Sequence, residues 1–177
     1  MTEPPPIKKS SRHQKIIGDF GEHLICNWLS RSGFEVTIVD HTGIDIVAYD
    51  PATKARLGIT VKSRTRTSDQ EFSSVNLLSY QKQRDDRARV IDACTAFAAE
   101  PWLAVYVETT EYAEVYLTSL ANYDAKYRSS TTRRIDDWKM TAKHKKRYTQ
   151  DSDVKHIRMD FTVLSWRWSR EKQKPQQ

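Results

Sequence analysis

The stretch FEVTIVDHTGIDIVAYDPATKARLGITVKSRTR, residues 34–66, decides the fold of this chain. Three runs rich in β-branched and apolar residues are separated there by two polar turns, which is typical of short strands. The runs are residues 34–39, 44–49 and 57–62. In the third run, apolar side chains occupy the odd positions and small or polar ones the even positions. The pattern predicts three strands, of which the last two form a hairpin.

The hairpin also predicts which side chains share a face of the sheet. In a hairpin the residue numbers of each facing pair add up to a nearly constant sum. Asp45 is therefore expected opposite residue 60, 61 or 62. Two of these three registers place Asp45, Thr60 and Lys62 on the same face. The opposite face then carries the apolar residues Ile44, Ile46, Ile59 and Val61. We therefore expect a carboxylate and an amine to meet on one face.

Length and charge indicate one domain with an acidic partner. A chain of 177 residues suits a single domain whose core needs no disulfides. A net charge of +6 and a pI near 9.3 favour nucleic acid as the partner, ahead of an anionic membrane surface. We expect this domain to cover residues 12–168, between disordered tails at residues 1–11 and 169–177.

The cysteines and the apolar runs indicate the compartment. Cys26 and Cys94 have apolar neighbours in helical patterns, which is typical of buried reduced thiols, and they match no metal-binding pattern. The sequence has neither a signal-peptide core nor an apolar run of membrane-spanning length. We therefore expect a cytoplasmic protein.

A first helix is predicted over residues 13–31, where apolar residues recur at helical spacing, and Gly33 marks its end. Glu22 lies on the edge of the apolar stripe, where its carboxylate either reaches over the sheet or is simply solvated. Gly18 and Gly21, in one helical turn, favour the close approach of another backbone or of a ligand.

A second helix is predicted over residues 78–99. Its first half, residues 80–89, is nearly all polar and would project beyond the core. Gln81 and Lys82 are therefore candidates for the mouth of a cleft, and a solvated helix end explains them equally well. The predicted buried stripe consists of the apolar residues Val90, Ile91, Cys94, Phe97 and Ala98.

Basic residues concentrate in two further segments. Arg64 and Arg66, in a polar loop at residues 63–68, are either solvated or contact phosphate through their forked donors. Residues 121–153 carry nine Lys or Arg against five Asp, so this insertion is either a solvated face or a nucleic-acid contact. Its candidate nucleic-acid contacts are Lys143, Lys145, Lys146 and Arg147. Its aromatic residues, suited to base stacking, are Tyr123, Tyr127, Trp138 and Tyr148.

Further strands are predicted at residues 102–108, 112–120 and 156–164. The order helix, three strands, helix, strand indicates an α/β fold with a central mixed sheet flanked by helices.

Three short motifs jointly resemble the PD-(D/E)XK, or restriction-endonuclease-like, nuclease superfamily. They are Gly21-Glu22, the run GIDIVA from Gly43, and the run ITVKSR from Ile59. The likeness covers roughly residues 15–120 and is closest to the Holliday-junction-resolvase-like branch of the superfamily. It implies a restriction-endonuclease-like core in αβββαβ order with extra C-terminal strands, and it is consistent with a homodimer.

The resemblance also implies a site and a chemistry. Glu22, Asp45 and Lys62 would be catalytic, and Mg²⁺ or Mn²⁺ would be held by Glu22, Asp45 and the backbone carbonyl of Val61. Magnesium prefers oxygen ligands and retains several waters, so such a set suits it. The ion would polarise a DNA phosphate and acidify a water while Lys62 stabilises negative charge.

Thr60 departs from the family pattern. It occupies the position of a second acid, and a neutral hydroxyl is a poor magnesium ligand. Either Glu22 compensates, or another acid such as Asp40 or Glu71 enters the site, or the domain binds DNA without cleaving it. The functional hypotheses are therefore a metal-dependent DNA endonuclease acting on branched or damaged DNA, an inactive DNA-binding relative, and an interaction module for an acidic protein. A purely structural role for Asp45 and Lys62 in an ordinary α/β domain is the remaining alternative.

Overall fold

A computed structural model describes residues 9–81, 84–129 and 134–161 and shows a mixed α/β architecture. The helices are α1 His13–Arg31, α2 Asp86–Ala96, α3 Leu120–Lys126 and α4 Ala142–Gln150, with a short 3₁₀ turn at Ser68–Gln70. The strands are β1 Glu35–His41, β2 Ile44–Tyr49, β3 Arg56–Thr65, β4 Val75–Gln81, β5 Arg84–Asp85, β6 Glu100–Glu108, β7 Tyr112–Ser119, β8 Ile135–Trp138 and β9 Val154–Asp160.

The main sheet has six strands in the order β1-β2-β3-β6-β7-β9. Strands β3 and β6 run parallel, and every other neighbouring pair in this sheet is antiparallel. Helix α1 packs on one face, whereas α2, α3, α4 and a small β5-β4-β8 sheet pack on the other. The predicted central mixed sheet flanked by helices is confirmed.

Helix α1 has the predicted limits and buries the apolar stripe that contains Ile17, Ile25 and Leu29. A Cβ at Gly21 would lie 2.2 Å from Ser63 Oγ, so the helix approaches β3 closely at this glycine, as predicted. At Gly18 no other backbone approaches closely, because a Cβ there would meet no atom of the described residues within 4 Å.

The predicted second helix begins too early. Its first residues belong to β4, whose Leu77 and Leu78 are buried against the core. Helix α2 begins only where the Asp85 side chain accepts a hydrogen bond from the Ala88 N–H. The described part of the polar segment that we expected to project as a helix thus belongs to β4, β5 and the start of α2.

The buried stripe of α2 is also narrower than predicted. Val90 and Cys94 are 1% exposed, whereas Ile91 and Phe97 are 44% and 38% exposed. Ala98 is exposed and lies beyond the helix end. A helix that packs on a sheet has only one buried face, so the remaining apolar residues of α2 face outward.

The aromatic residues of the basic insertion form core rather than surface. Tyr123, Trp138 and Tyr148 are each 1% exposed, and the rings of Trp138 and Tyr148 stack with centroids 4.0 Å apart. Tyr116 from β7 joins the same cluster. The expectation that these three rings are available to stack on bases is wrong, because they anchor β8 and α4 to the main sheet.

The remaining predictions concern the cysteines, the last strand, the chain ends and membrane-spanning helices. Both cysteines are free, Cys94 buried and Cys26 partly buried. The last strand ends at Asp160, and residues 162–164 of its predicted length lie outside the described residues. Residues 1–8 and 169–177, at the two chain ends, also lie outside them. Within the described ranges, no helix combines the length and apolarity needed to cross a membrane.

Candidate active site

The hairpin of β2 and β3 brings Asp45 to Thr60 and Lys62. Ile46 pairs with Ile59, so continuing the same register places Asp45 across from Thr60, which is one of the predicted registers. Asp45 Oδ2 accepts a hydrogen bond from the Val61 N–H at 2.6 Å and a longer one from Thr60 Oγ1 at 3.3 Å. The carboxylate is therefore fixed to the backbone of the neighbouring strand.

A polar cavity of about 230 Å³ opens over these residues. Asp45, Thr60 and Lys62 line it from the sheet, and Asp86 and Arg89 line it from α2. The expected meeting of a carboxylate and an amine on one face is thus found in the structure. Among the described residues, the Lys62 amine has no ion-pair partner, so its charge is available to a ligand.

Gly43 determines how closely α2 approaches this cavity. Its φ of +114° is rarely adopted by residues with side chains, and an added Cβ would lie 2.3 Å from the Arg89 carbonyl oxygen. The turn between β1 and β2 therefore packs directly against the backbone of α2. This contact holds Arg89 beside the strand that carries Asp45.

Ile44 corrects one detail of the predicted faces. It packs with Val90 and Cys94 beneath α2, whereas Ile46 packs with Ile59 beneath α1. The β1–β2 pairing shifts register between Ile38 and His41, so the strict alternation fails next to Asp45. The expectation that Ile44 and Ile46 share a face is wrong, and Asp45 lies at this irregular point.

Glu22 reaches the same region from α1. Burial raises the pKa of its carboxyl, and the negative charge of Asp45 raises it further. A cation bound nearby would relieve the repulsion that raises the pKa of Glu22. Glu22 does not line the cavity on the α2 side, so it acts on Asp45 from the other face of the sheet.

We expect Glu22→Gln to stabilise the protein at neutral pH. Because the folded state raises the pKa of Glu22, it binds this proton more tightly than the unfolded chain does, and stability falls as pH rises above about 4.3. The variant should melt about 1–2 °C higher than wild type at pH 7, a small gain because solvent screens a partly exposed carboxylate. Well below that pH both the folded and the unfolded chain bind the proton, so the difference in melting temperature should vanish. Glu35→Gln, at an exposed position, is the matched control in thermal melts, and a variant that is less stable at pH 7 would contradict the expectation.

The donor set for a divalent cation is small. Within residues 9–81, 84–129 and 134–161, no three Asp, Glu, His or Cys side chains gather where they could hold one ion. Thr60 directs its hydroxyl at Asp45 and adds no charge. Mg²⁺ keeps several of its waters and is bound through as few as one or two carboxylates, so Asp45 fits a weakly held ion, and the nearby negative charge of Glu22 would favour that ion further.

Glu71 and Asp40 were the acids expected to replace the missing carboxylate, and neither is found at the cavity among the described side chains. Glu71 accepts a hydrogen bond from Tyr112 and lies 4.0 Å from Lys145, so it belongs to another cluster. The side chain of Asp40 lies outside the described residues. Asp86, which no sequence motif indicated, also lines the cavity that contains Asp45. Paired aspartates before a helical apolar stripe are a helix-start signal, and that signal could have located Asp86.

The predicted nucleic-acid contacts are not gathered at one place. Arg64 is exposed near the end of β3, and Arg66 follows that strand and donates to the Ser74 carbonyl at 2.8 Å. Lys82 and the Gln81 side chain lie outside the described residues. Helix α4 contacts β9, four strands away from β2, which corresponds to roughly 19 Å.

The cations of α4 also differ in availability. Lys143 and Lys146 are exposed, and Arg147 donates to the Lys126 carbonyl at 3.1 Å. Lys145 is only 15% exposed and lies 2.8 Å from the buried carboxylate of Glu114. Its charge is therefore neutralised inside the protein, which leaves Lys143, Lys146 and Arg147 as the surface cations of this helix.

Several chains of solved structures are similar to this protein. No protein-family model and no curated protein matches the sequence. The chain is similar in structure to Hjc, a Holliday junction resolvase from the archaeal hyperthermophile Archaeoglobus fulgidus, with a TM-score of 0.49 and 19% sequence identity. The match covers 69% of this chain and 83% of that one. Similarity at this level defines neither a family nor an activity.

Proposed function

We propose that the protein is a nuclease that hydrolyses phosphodiester bonds of DNA with the help of a divalent cation. The observation that carries the proposal is the placement of Asp45 and Lys62 in one polar cavity, with the Glu22 carboxylate close enough to have its pKa raised by Asp45. Hydrolysis of a phosphodiester is favoured by a bound cation and by a group that stabilises the developing negative charge. The carboxylates would hold the cation, and the Lys62 amine would stabilise the charge.

In this proposal Glu22 and Asp45 hold Mg²⁺ or Mn²⁺, which supplies a polarised phosphate and a water of lowered pKa. Asp45 is oriented by the Val61 N–H, and that bond keeps its second oxygen free to face a ligand. Val61 thereby positions the acid, in addition to the ligand role that the resemblance implies for its carbonyl. Lys62 contacts the phosphate oxygens and stabilises their charge during attack.

DNA is the proposed substrate because the chain is basic. The net charge of +6 and the exposed cations Arg64, Lys143 and Lys146 favour a polyanion, and their phosphate contacts would release counterions. The sequence resemblance adds branched or damaged DNA as the proposed substrate class. It also adds a homodimer as the proposed assembly.

A second candidate function is DNA binding without cleavage. The specific observation in its favour is Thr60, which donates its hydroxyl to Asp45 at 3.3 Å where a third acid would complete an ion site. A neutral hydroxyl leaves the ion with fewer charged ligands, and affinity for a divalent cation falls with ligand charge. Both candidates bind DNA, so only cleavage separates them.

The proposal is tested with purified protein and three labelled DNAs: linear duplex, single strand and a four-way junction. With Mn²⁺ or Mg²⁺ at millimolar concentration we expect cleavage of at least one, and none in EDTA. Mn²⁺ should also raise the melting temperature of wild type but not of Asp45→Asn, since ligand binding stabilises only a protein that binds it. Salt-sensitive DNA binding without cleavage would establish the second candidate instead. No DNA binding at low salt would reject both and favour an interaction module for an acidic protein.

A further inference from the structure

We propose that a second cavity, on the α1 side of β3, binds a phosphate group. This cavity has a volume of about 510 Å³ and lies between the start of α1 and the end of β3. The residues that matter to its chemistry are Lys9, His13, Ser63, Arg64, Arg66 and Gln70. None of its described lining residues is a carboxylate, in contrast to the cavity over Asp45.

Its charge is positive, and the Glu108 carboxylate lies 3.9 Å from His13, one of its lining residues. Within the described residues, Lys9, Arg64 and Arg66 have no carboxylate within ion-pair distance. Burial lowers the pKa of Arg66, and the neighbouring charge of Arg64 lowers it further, so the two guanidinium groups repel each other. By comparison, Arg87 lies 2.6 Å from Asp124 and 3.0 Å from Asp136. An anion in the cavity would supply the missing negative charge.

Unpartnered donors accompany this charge. Ser63 lines the cavity and is 8% exposed, and among the described residues its Oγ has no hydrogen-bond partner. The Arg66 Nε is buried and also lacks a partner. A buried hydroxyl or N–H without an acceptor is costly, and a phosphate oxygen is an acceptor that both groups can use.

Several of the lining groups are already held in place. Arg66 donates through its terminal nitrogen to the Ser74 carbonyl at 2.8 Å, and the Lys9 amine donates to the Thr65 carbonyl at 2.9 Å. The Thr65 hydroxyl donates to Glu108 at 2.8 Å and receives a 2.7 Å contact from His13 Nε2. These bonds fix the cavity wall before a ligand enters, which lowers the ordering cost of binding.

The two cavities share one strand. Lys62 and Ser63 are consecutive on β3 and therefore face opposite sides of the sheet. The phosphate site stands without any cleavage activity, because its charge and donors do not involve Asp45. Its ligand chemistry is a phosphate group, supplied by a strand terminus, by an internal phosphodiester or by free phosphate.

The test is calorimetric titration of the full chain at low ionic strength with inorganic phosphate, 5′-phosphorylated oligothymidine and 5′-hydroxyl oligothymidine. Ser63→Ala and Arg66→Met should each weaken binding at least about tenfold, the effect of losing a charge-assisted hydrogen bond. Arg56→Met, at an exposed arginine at the other end of β3, should leave it unchanged. Lys9→Ala is a further variant in case Arg66→Met lowers the melting temperature.

The three titrants separate the sources of the phosphate. Tighter binding of the phosphorylated oligonucleotide identifies a strand terminus, and equal binding of both oligonucleotides identifies an internal phosphodiester. Binding of inorganic phosphate alone identifies a free anion. The proposal is overturned if no titrant binds, or if Ser63→Ala, Arg66→Met and Lys9→Ala bind every titrant as wild type does. All three titrations are carried out without a divalent cation, so these results do not depend on whether the protein cleaves DNA.

Discussion

Lys62→Met is expected to lower the rate of DNA cleavage by roughly 100-fold or more, since removing one group that stabilises transition-state charge typically has that effect. The amine has no ion-pair partner among the described residues, and methionine keeps most of the apolar stem. The melting temperature should therefore change by less than about 2 °C. Affinity for uncleaved DNA, measured in EDTA, should fall by much less than the rate, because one surface cation is a small share of the counterion release.

Lys155→Met is the matched control for this substitution. Lys155 is exposed on β9, at the opposite edge of the main sheet, and donates only to the Ser152 carbonyl. Both variants lose one positive charge, so a general electrostatic effect on DNA binding would lower their rates equally. Equal rates for the two variants would remove Lys62 from the catalytic assignment. A loss confined to Lys62→Met would place the reaction at the cavity over Asp45.

The hairpin was predictable because its information is local. Residues of one hairpin are close in sequence, so the period-two pattern and the turn positions limited the pairing to three registers, two of which place Asp45 and Lys62 on one face. The exception is Ile44, where a register shift with β1 decides the side-chain direction. Such a shift depends on pairing with another strand and leaves no mark in the alternation itself.

The boundary between β4 and α2 shows where local patterns fail. Residues 75–81 are apolar enough for either element, and their pairing with β8, more than fifty residues later, makes them a strand. Asp86 was missed for the same reason, since its place beside Asp45 arises only when α2 packs against Gly43. Lys145 resembled its exposed neighbours in sequence, and only the tertiary fold places Glu114 beside it.

Glu114 is the centre of a buried charged cluster between β7, β9 and α4. It is 4% exposed, and the Lys145 amine lies 2.8 Å from its carboxylate. Arg158 and His156 lie 3.6 Å and 3.7 Å from the same carboxylate. Burial lowers the pKa of His156, so the imidazole is held neutral while Lys145 and Arg158 carry the positive charge. The cluster joins the last strand and the basic helix to the main sheet.

Glu114→Ala is expected to be the most destabilising single change considered for this protein. It would remove the nearest carboxylate of Lys145 and leave only the more distant Glu71, 4.0 Å away. Breaking a buried ion pair by removing one partner costs about 3–5 kcal/mol. For a chain of this size we expect the melting temperature to fall by roughly 6–20 °C. Glu111→Ala, at an exposed glutamate in the turn before β7, should change it by less than about 2 °C.

A double variant separates the loss of the pair from the loss of the side chain. In Glu114→Met with Lys145→Met, both charges are replaced by apolar groups, which is often neutral or stabilising for buried pairs. We expect this protein to melt well above Glu114→Ala. A double variant as unstable as the single one would show that Arg158 and His156, rather than Lys145, depend on the carboxylate. If Glu114→Ala itself melts within about 2 °C of wild type, the cluster does not hold β9 and α4 in place.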